Sequence, residues 1–483
     1  MRIYSAGQNN MTPLPPTTSS LSGPFRRARN VFLALAALLA GGRAGAANVP
    51  EQLMDAATKT DFAYQRLAQL CDSFGPRFSG TTNLEEAIDW ILAQMSKDGL
   101  DNVHGERVMV PHWVRVAESA EMLAPRARRL PMLGLGGSVA TPPEGLTAEV
   151  LVVRSFADLA ARAAEAENKI VLFNVPFTTY GETVAIRVRG AVEAARVGAV
   201  ASLIRSVTPF SIQSPHTGNM SYNSAVRRIP HAAITVEDAE MMQRMQDRGQ
   251  KIVVRLKMSA AQLPDAPSSN IVAEITGSEK PEEIVLVSGH IDSWDVGQGA
   301  MDDGGGAMAA WEAVRLMRQL GLRPRRTVRV VLWTNEENGL AGAHGYEQRH
   351  RGEMARHVLA IESDMGTFKP EGFSFVGGDA ARKMIKKLAR PLARLGAAGI
   401  LNQGSEADVG VLERDHVPTM ALLDDETKYF WYHHTDADTM DKLNPRELGA
   451  CAAVIAVMAW QVADDPMTLP REETTTSSER KQN

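Results

Sequence analysis

The sequence predicts an α/β fold: a mixed sheet with helices covering both faces. Three observations carry this. From about residue 270 onward, short and strongly apolar runs alternate with helix-length patterns, the signature of parallel or mixed strands buried on both sides. Several runs stop at a glycine or polar residue and lead directly into acids and histidines. The run Ile284 to Val287 is followed by Gly289, His290 and Asp292, and then by Asp302, Asp303 and three glycines. Ligands and reactive groups in such folds gather beyond the carboxyl ends of the strands.

The chain is read in order from its first residues. Arg26, Arg27 and Arg29 precede a short apolar run, Val31 to Ala40, and Ala44-Gly45-Ala46 has the form of a cleavage site. Residues 1–46 are therefore expected to be an export signal with an N-terminal extension. The run is too short to span a bilayer comfortably. The expectation is a secreted or periplasmic protein with no stable membrane span after cleavage. The 483 residues carry a formal charge of −5, and residues 1–46 hold five Arg and no acid. What remains is acidic, which argues against a nucleic-acid partner. The composition, 44% hydrophobic and 23% charged, is that of a globular protein with room for two or three domains. Two cysteines, Cys71 and Cys451, are expected as free buried thiols, with one bridge as the alternative.

Residues 47–140 read as the N-terminal part of a catalytic domain. Phe62, Leu67 and Leu70 lie at helical spacing before Gly75-Pro76, a second helix covers about Leu84 to Lys97, and Val108 to Val116 is strand-like. The Pro- and Gly-rich stretch Leu130 to Gly145 is the expected boundary. Residues 141–260 are expected to form an inserted, β-rich domain, with strands at AEVLVV, KIVLF, ASLIRS, AAITV and KIVVRL. His216 and His231 within it are isolated and are read as structural. Residues 261–470 are read as the main catalytic domain, with the α/β pattern beginning after AQLPDAPSS. Its strands are SNIVAEITG, EEIVLVSGH, TVRVVLWTNEEN, HVLAIESDMG and VPTMALLDD, its helices include Met308 to Leu320, and a last helix runs from about Pro445 to Ala463. Residues 471–483 are polar and expected to be a disordered tail.

The chemistry-bearing residues lie at the ends of these strands. His290 and Asp292 follow the first, Glu336 and Glu337 follow VVLWTN, Asp364 follows VLAIES, and His434 lies in the loop YFWYHHTDADT after VPTMALLDD. Imidazoles and carboxylates are the donors that zinc takes. Five of them, His290, Asp302, a Glu, Asp364 and His434, with one carboxylate able to bridge, suit a pair of zinc ions. Taken singly, His-x-Asp is more often a hydrogen-bonded pair, Glu-Glu a solvated turn, and Asp-Asp-Gly a helix cap. Their recurrence at successive strand ends favours a metal site. His104, His112, His344, His350, His357 and His416 fall outside the pattern.

The stretches SGHIDSWDVGQGAMDDGGG, LWTNEENGLAGAHGY, ESDMGTF and LLDDETKYFWYHHTDADTMD together resemble the co-catalytic di-zinc exopeptidases of the aminopeptidase clan. The resemblance implies a phosphorylase/hydrolase-like zinc-exopeptidase core, with the inserted segment similar to a protease-associated domain. It implies two zinc ions per chain, one held by His290, Asp302 and Asp364, the other by Asp302, Glu337 and His434. It further implies a cis peptide between Asp302 and Asp303. Asp292 would accept a hydrogen bond from His290, and Glu336 would act as general base toward water and then as acid toward the leaving amine. Tyr429 and Tyr432 would either support the oxyanion or simply pack. The implied substrate is a dipeptide or short peptide, and the implied assembly a homodimer. His344 departs from the family pattern, which bears on fine specificity. Two other readings are a single-zinc glutaminyl cyclase-like enzyme, opposed by the complete five-residue donor set, and a non-catalytic receptor-like relative, opposed by the intact Glu336.

Overall fold

The computed structural model describes residues 49–471. The export segment 1–46 and all of the tail except Arg471 lie outside the described residues. Arg471 itself, expected in the tail, donates to the carbonyls of Asp415, Met354 and His357.

Two eight-stranded sheets organise the described residues. In the first, the strand order is Asp101–Val114, Ala261–Ile275, Arg326–Trp333, Lys280–His290, His357–Glu362, Thr419–Asp424, Pro370–Val376 and Gly399–Leu401. Its four central strands, from Arg326–Trp333 to Thr419–Asp424, run parallel, and antiparallel pairs flank them, so the sheet is mixed. The alternation of side chains explains why these runs are apolar throughout. Val285 and Val287 enter one core with Val328, Val330 and Leu332, while Ile284 and Leu286 enter the opposite core with Val331 and Trp333. On the first face lie the helices Val49–Thr58, Phe62–Phe74, Thr82–Lys97, Gly305–Gln319 and Pro445–Asp464; on the second lie Ala341–His350 and Ala407–Leu412. Pro445–Asp464 is long and apolar enough to cross a membrane, but 78% of that stretch is buried, much of it against Gly305–Gln319 and Val49–Thr58. Its all-round apolarity therefore follows from its central place in a core. Cys71 and Cys451 are free and buried in this core.

AQLPDAPSS, which precedes the expected α/β pattern, is the first half of the fifteen-residue strand Ala261–Ile275. It pairs along its length with Asp101–Val114, but Arg326–Trp333 covers only Ile271 to Ile275 on its other side. Pro264 and Pro267 lie in the half with one open side, where a missing N–H leaves no central ladder unfilled.

The second sheet has the order Arg128–Leu130, Glu118–Ala124, Val253–Met258, Leu146–Val153, Ile170–Phe173, Ala201–Arg205, His231–Ile234 and Met132–Gly134. The chain leaves the first sheet after Val114 and returns at Ala261, on the neighbouring antiparallel strand. The second sheet therefore begins ahead of the boundary expected at 130–145. It is also less purely β than expected. Four of its strands, from Leu146–Val153 to His231–Ile234, are parallel, and the helices Phe156–Ala161, Ala185–Arg196 and Val236–Asp247 lie among them.

One core histidine makes stability pH-dependent. His357 is fully buried. Its Nε2 accepts from the Tyr346 hydroxyl at 2.8 Å, and its Nδ1 donates to the Glu353 carbonyl at 3.1 Å. Burial, with the nearby Arg329 and His350, lowers its pKa to about 4. The folded ring stays neutral while an unfolded one takes a proton below about 6.5, so folding stability falls as pH drops from about 6.5 toward 4. Replacing His357 with Gln, which keeps a neutral donor and acceptor, is expected to shrink the loss of unfolding free energy between pH 7 and pH 5 by roughly 2 kcal/mol. Urea unfolding of both proteins at the two pH values measures this. An unchanged difference would place the acid sensitivity elsewhere.

Candidate active site

The site lies beyond the carboxyl ends of the parallel strands. His290 ends its own strand, Asp364 follows Glu362 by two residues, and Glu336 and Glu337 stand in a turn after Trp333. Glycines let the Gly305–Gln319 helix start directly against the strand tips. A Cβ on Gly289 would come within 2.5 Å of the Ala307 nitrogen, and one on Gly306 within 2.1 Å of the Ser363 carbonyl. Asp303 ties strand to helix, accepting from the backbone N–H of His290 and of Gly306, both at 3.0 Å. The peptide between Asp302 and Asp303 is cis.

Asp302 is central. Its Oδ1 lies 3.2 Å from Nε2 of His290, and its Oδ2 lies 3.2 Å from Nε2 of His434. On one side, Nε2 of His290 also lies 3.2 Å from Oδ1 of Asp364. On the other, Nε2 of His434 lies 3.1 Å from Oε2 of Glu337. The five expected donor residues are thus brought into one cluster, with Asp302 between two sub-clusters. A sixth group joins them: the ring of His433 stacks on that of His434 with centroids 3.5 Å apart, and its Nε2 is 3.7 Å from Oδ2 of Asp302. Sequence reading passed over His433, although the adjacent pair His433-His434 was a visible signal.

The electrostatics are those of a cation site. Burial opposes ionisation of Asp302, but its bonds to His290 and His434 hold its pKa well below the usual carboxylate range. Burial also works against charge on His290, whose pKa is nevertheless raised by the charge of Asp364 and by bonds to the surrounding carboxylates. Glu337 is pushed up by burial and by Asp302, and Glu336 by burial and by Asp364. Oε1 of Glu337 is buried without a hydrogen-bond partner. Carboxylates crowded around two imidazoles, with an acceptor atom left over, fit zinc in both ligand type and charge.

Asp292 acts differently from the expectation. Nδ1 of His290 donates to the backbone carbonyl of Asp292 at 2.9 Å, and the Asp292 carboxylate lies 3.7 Å from that nitrogen. The carboxylate instead accepts from the backbone N–H of Glu336 at 3.0 Å and of Glu337 at 3.4 Å. It therefore anchors the turn that carries both glutamates. That turn starts at Asn335, whose φ is +68°; its amide donates to Ser79 Oγ and accepts from Ala341 N–H. The bend removes the up-and-down alternation that a continuing strand would impose on neighbouring side chains.

Further supporting groups were not singled out from the sequence. Asp438 accepts from the N–H groups of Ala300, Met301 and Asp302 at 3.1, 2.7 and 3.2 Å, holding the approach to Asp302; burial and the charge of Asp302 raise its pKa to about 7. Arg77, fully buried, donates to the carbonyls of Ile291, Gln298 and Gly299. Tyr429 is buried beside the cluster, its hydroxyl kept protonated by burial and by Asp302 and Asp364. Tyr432 instead lies under the Lys442 ammonium, 5.6 Å from its ring centre. His344 lines a separate surface groove with Arg107, Val108 and Met109.

The second layer closes against this site. Arg115 pairs with both carboxylate oxygens of Asp295 at 2.8 and 3.0 Å. Thr217 N–H donates to the His434 carbonyl at 3.0 Å, and Nδ1 of His434 lies 3.3 Å from the Thr217 carbonyl.

Residues 270–459 match the model of peptidase family M28. Carboxypeptidase Q of Bos taurus is 54% identical over 409 residues, covering 85% of this chain and 87% of that protein. The crystal structure of a peptidase M28 precursor from Shewanella amazonensis is 36% identical with a TM-score of 0.85, covering 88% of this chain and 98% of that one. The zinc aminopeptidase BSAP of Bacillus subtilis shares the fold, at 23% identity and a TM-score of 0.63 over 84% of this chain and 96% of that one. With the strand-end histidines and acids gathered as described, these likenesses establish that the chain belongs to peptidase family M28 and is a carboxypeptidase Q-like zinc metallopeptidase.

Proposed function

We propose that this enzyme is a di-zinc exopeptidase that hydrolyses dipeptides or short peptides. The observation that carries this is Asp302, whose two oxygens face two separate imidazoles, each with a further carboxylate at 3.1–3.2 Å. His290, Asp302 and Asp364 would hold one ion, and Asp302, Glu337 and His434 the other. Zinc bound there supplies Lewis-acid polarisation of the scissile carbonyl and a water of lowered pKa.

The chain's own residues do the rest. Among the described residues neither imidazole forms an ion pair with Glu336, whose backbone N–H donates to the Asp292 carboxylate. Glu336 would take a proton from water and return it to the leaving amine. Asp292 is a positioning residue: it sets the turn that separates the roles of Glu336 and Glu337. The Tyr429 hydroxyl would donate toward negative charge developing on the substrate oxygen. The 115–260 excursion is read as a protease-associated-like layer that shapes the site. Export through the 1–46 segment, and assembly as a homodimer, belong to the same reading.

The test is hydrolysis of free, N-blocked and C-blocked dipeptides after chelation, with and without added zinc. Zinc-dependent cleavage of free dipeptides, lost on N-blocking, is expected. Cleavage that survives N-blocking but not C-blocking would make the enzyme a carboxypeptidase. No cleavage with about two zinc ions bound would leave the metal site standing and the substrate class wrong. About one ion per chain would favour the cyclase-like alternative.

A further inference from the structure

The two histidines at the centre of the site are held by different parts of the molecule. Each turns Nε2 toward the carboxylates. A ring that binds an ion through Nε2 carries its proton on Nδ1 and needs an acceptor there. His290 has that acceptor two residues along its own chain, at the carbonyl of Asp292, 2.9 Å away. His434 has it in the second layer, at the carbonyl of Thr217, 3.3 Å away and 217 residues earlier in the chain. The Arg187 guanidinium, on the helix Ala185–Arg196, stands equally close, with Nη1 3.3 Å from Nδ1, but it offers only donors. Thr217 also donates its N–H to the His434 carbonyl at 3.0 Å. One residue of the second layer thus holds both the ring and the backbone of His434.

Thr217 is in turn fixed by Arg115, at the point where the chain leaves the first sheet. All five N–H groups of this guanidinium have acceptors. Nε and Nη2 take the two carboxylate oxygens of Asp295 at 2.8 and 3.0 Å. Nη1 donates to Glu118 at 2.9 Å and to the Gly134 carbonyl at 2.7 Å, and Nη2 donates to the Thr217 hydroxyl at 3.1 Å. That hydroxyl donates to the same Gly134 carbonyl at 2.8 Å. Asp295 belongs to the first layer and follows Trp294. The Trp294 ring lies against bare backbone at Gly136 of the second layer, where a Cβ would come within 2.2 Å, and its centre is 5.5 Å from that of His434. The Arg115 and Asp295 side chains are only 10% and 22% exposed, so this bidentate pair is a shielded joint between the layers.

We propose that the Arg115–Asp295 pair is a latch through which seating of the second layer sets the affinity of the zinc ion on the His434 side, with Thr217 as the contact that carries the effect. This rests on the two-ion reading above and assigns positioning residues to one of its two sites. A layer seated on the latch presents the Thr217 carbonyl to Nδ1 and keeps Nε2 unprotonated and aimed at Asp302 and Glu337. A layer off the latch withdraws that acceptor, and the ring is free to turn or to carry its proton on Nε2, where it blocks the ion. His290 keeps its local acceptor in both states. By linkage, the ion on the His434 side favours the seated layer as strongly as the seated layer favours the ion.

The test titrates the metal-free protein with zinc against a competing chelator; the binding step that disappears in His434→Ala marks the His434 side. Asp295→Asn, which keeps the shape of the latch and removes its counter-charge, is expected to weaken that step by about 10–100-fold, the size typical of lost support behind a metal ligand, and to leave the other step unchanged. Thr217→Val keeps the carbonyl and loses the hydroxyl bond to Arg115. It should give a smaller loss at the same step, and it provides the answer if the Asn protein does not fold. Equal weakening of both steps, or no change at either, would overturn the proposal. Hydrogen exchange at the Thr217 amide reads the seating of the layer without turnover. Zinc should slow it in the wild type and much less in Asp295→Asn. A single zinc step in the wild type would fail the two-ion reading, and exchange at Thr217 then decides the latch by itself. Protection by zinc that depends on Asp295 would sustain the latch, and protection independent of Asp295 would overturn it.

Discussion

Glu336→Gln is expected to lower dipeptide turnover by about a thousandfold or more, within the range for loss of a general base. Zinc content should stay at about two ions per chain, because the substitution leaves both sets of donors in place. The carboxylates of Asp302, Asp364 and Glu337 surround the two imidazole nitrogens, whereas Glu336 sits on a turn anchored by Asp292. Glutamine is nearly isosteric and keeps the backbone N–H that Asp292 accepts, so fold and metal binding should survive while the proton acceptor is lost. Metal analysis of the purified variant beside its kinetics decides the matter. Loss of zinc together with activity would show that the roles given to Glu336 and Glu337 are reversed.

Asp302→Asn should have a comparable effect on rate with the opposite metal signature. Activity falls by about a thousandfold or more, and zinc content drops to about one ion per chain or less. Asp302 alone presents one oxygen to each sub-cluster, at 3.2 Å from His290 and 3.2 Å from His434. An amide offers one neutral oxygen and turns an NH2 toward the other side, so it cannot serve two ions. Zinc titration after chelation, followed by metal analysis, measures the change. Retention of two tightly bound ions would mean that Asp302 is not shared. Together the two variants separate proton transfer from metal binding.

Much of the fold was legible because its signals are periodic and local. Strands buried on both faces read as unbroken apolar runs, and Ile284 to Val287 and Val328 to Trp333 lie where those runs predicted. Where local signals misled, a neighbour decided the outcome. AQLPDAPSS carried no strand signal, yet it is a strand because Asp101–Val114 pairs with it on one side while its other side stays open. The second sheet starts ahead of Leu130–Gly145 because Glu118–Ala124 pairs with Val253–Met258, more than a hundred residues away in the chain.

The donor residues were legible for a related reason: parallel strands bring their carboxyl ends to one edge, so acids and histidines at successive strand ends must meet. The supporting residues were not. Asp438 lies 136 residues beyond Asp302, and Arg187 lies 247 residues before His434. Each is a single residue of a common type with no spacing to mark it. The split role of Asp292, backbone to His290 and carboxylate to Glu336 and Glu337, depended on the left-handed turn at Asn335.

By itself the sequence determined the α/β class, the strand ends and the metal-type donors, because hydrophobic periodicity and residue chemistry are properties of short segments. Tertiary structure alone decided that Asp302 lies between two imidazoles, that Asp292 holds the glutamate turn, and that a guanidinium from the second layer stands beside His434. Those are relations between side chains far apart in the chain, set by how the two layers pack and by the need of each buried charge for a partner.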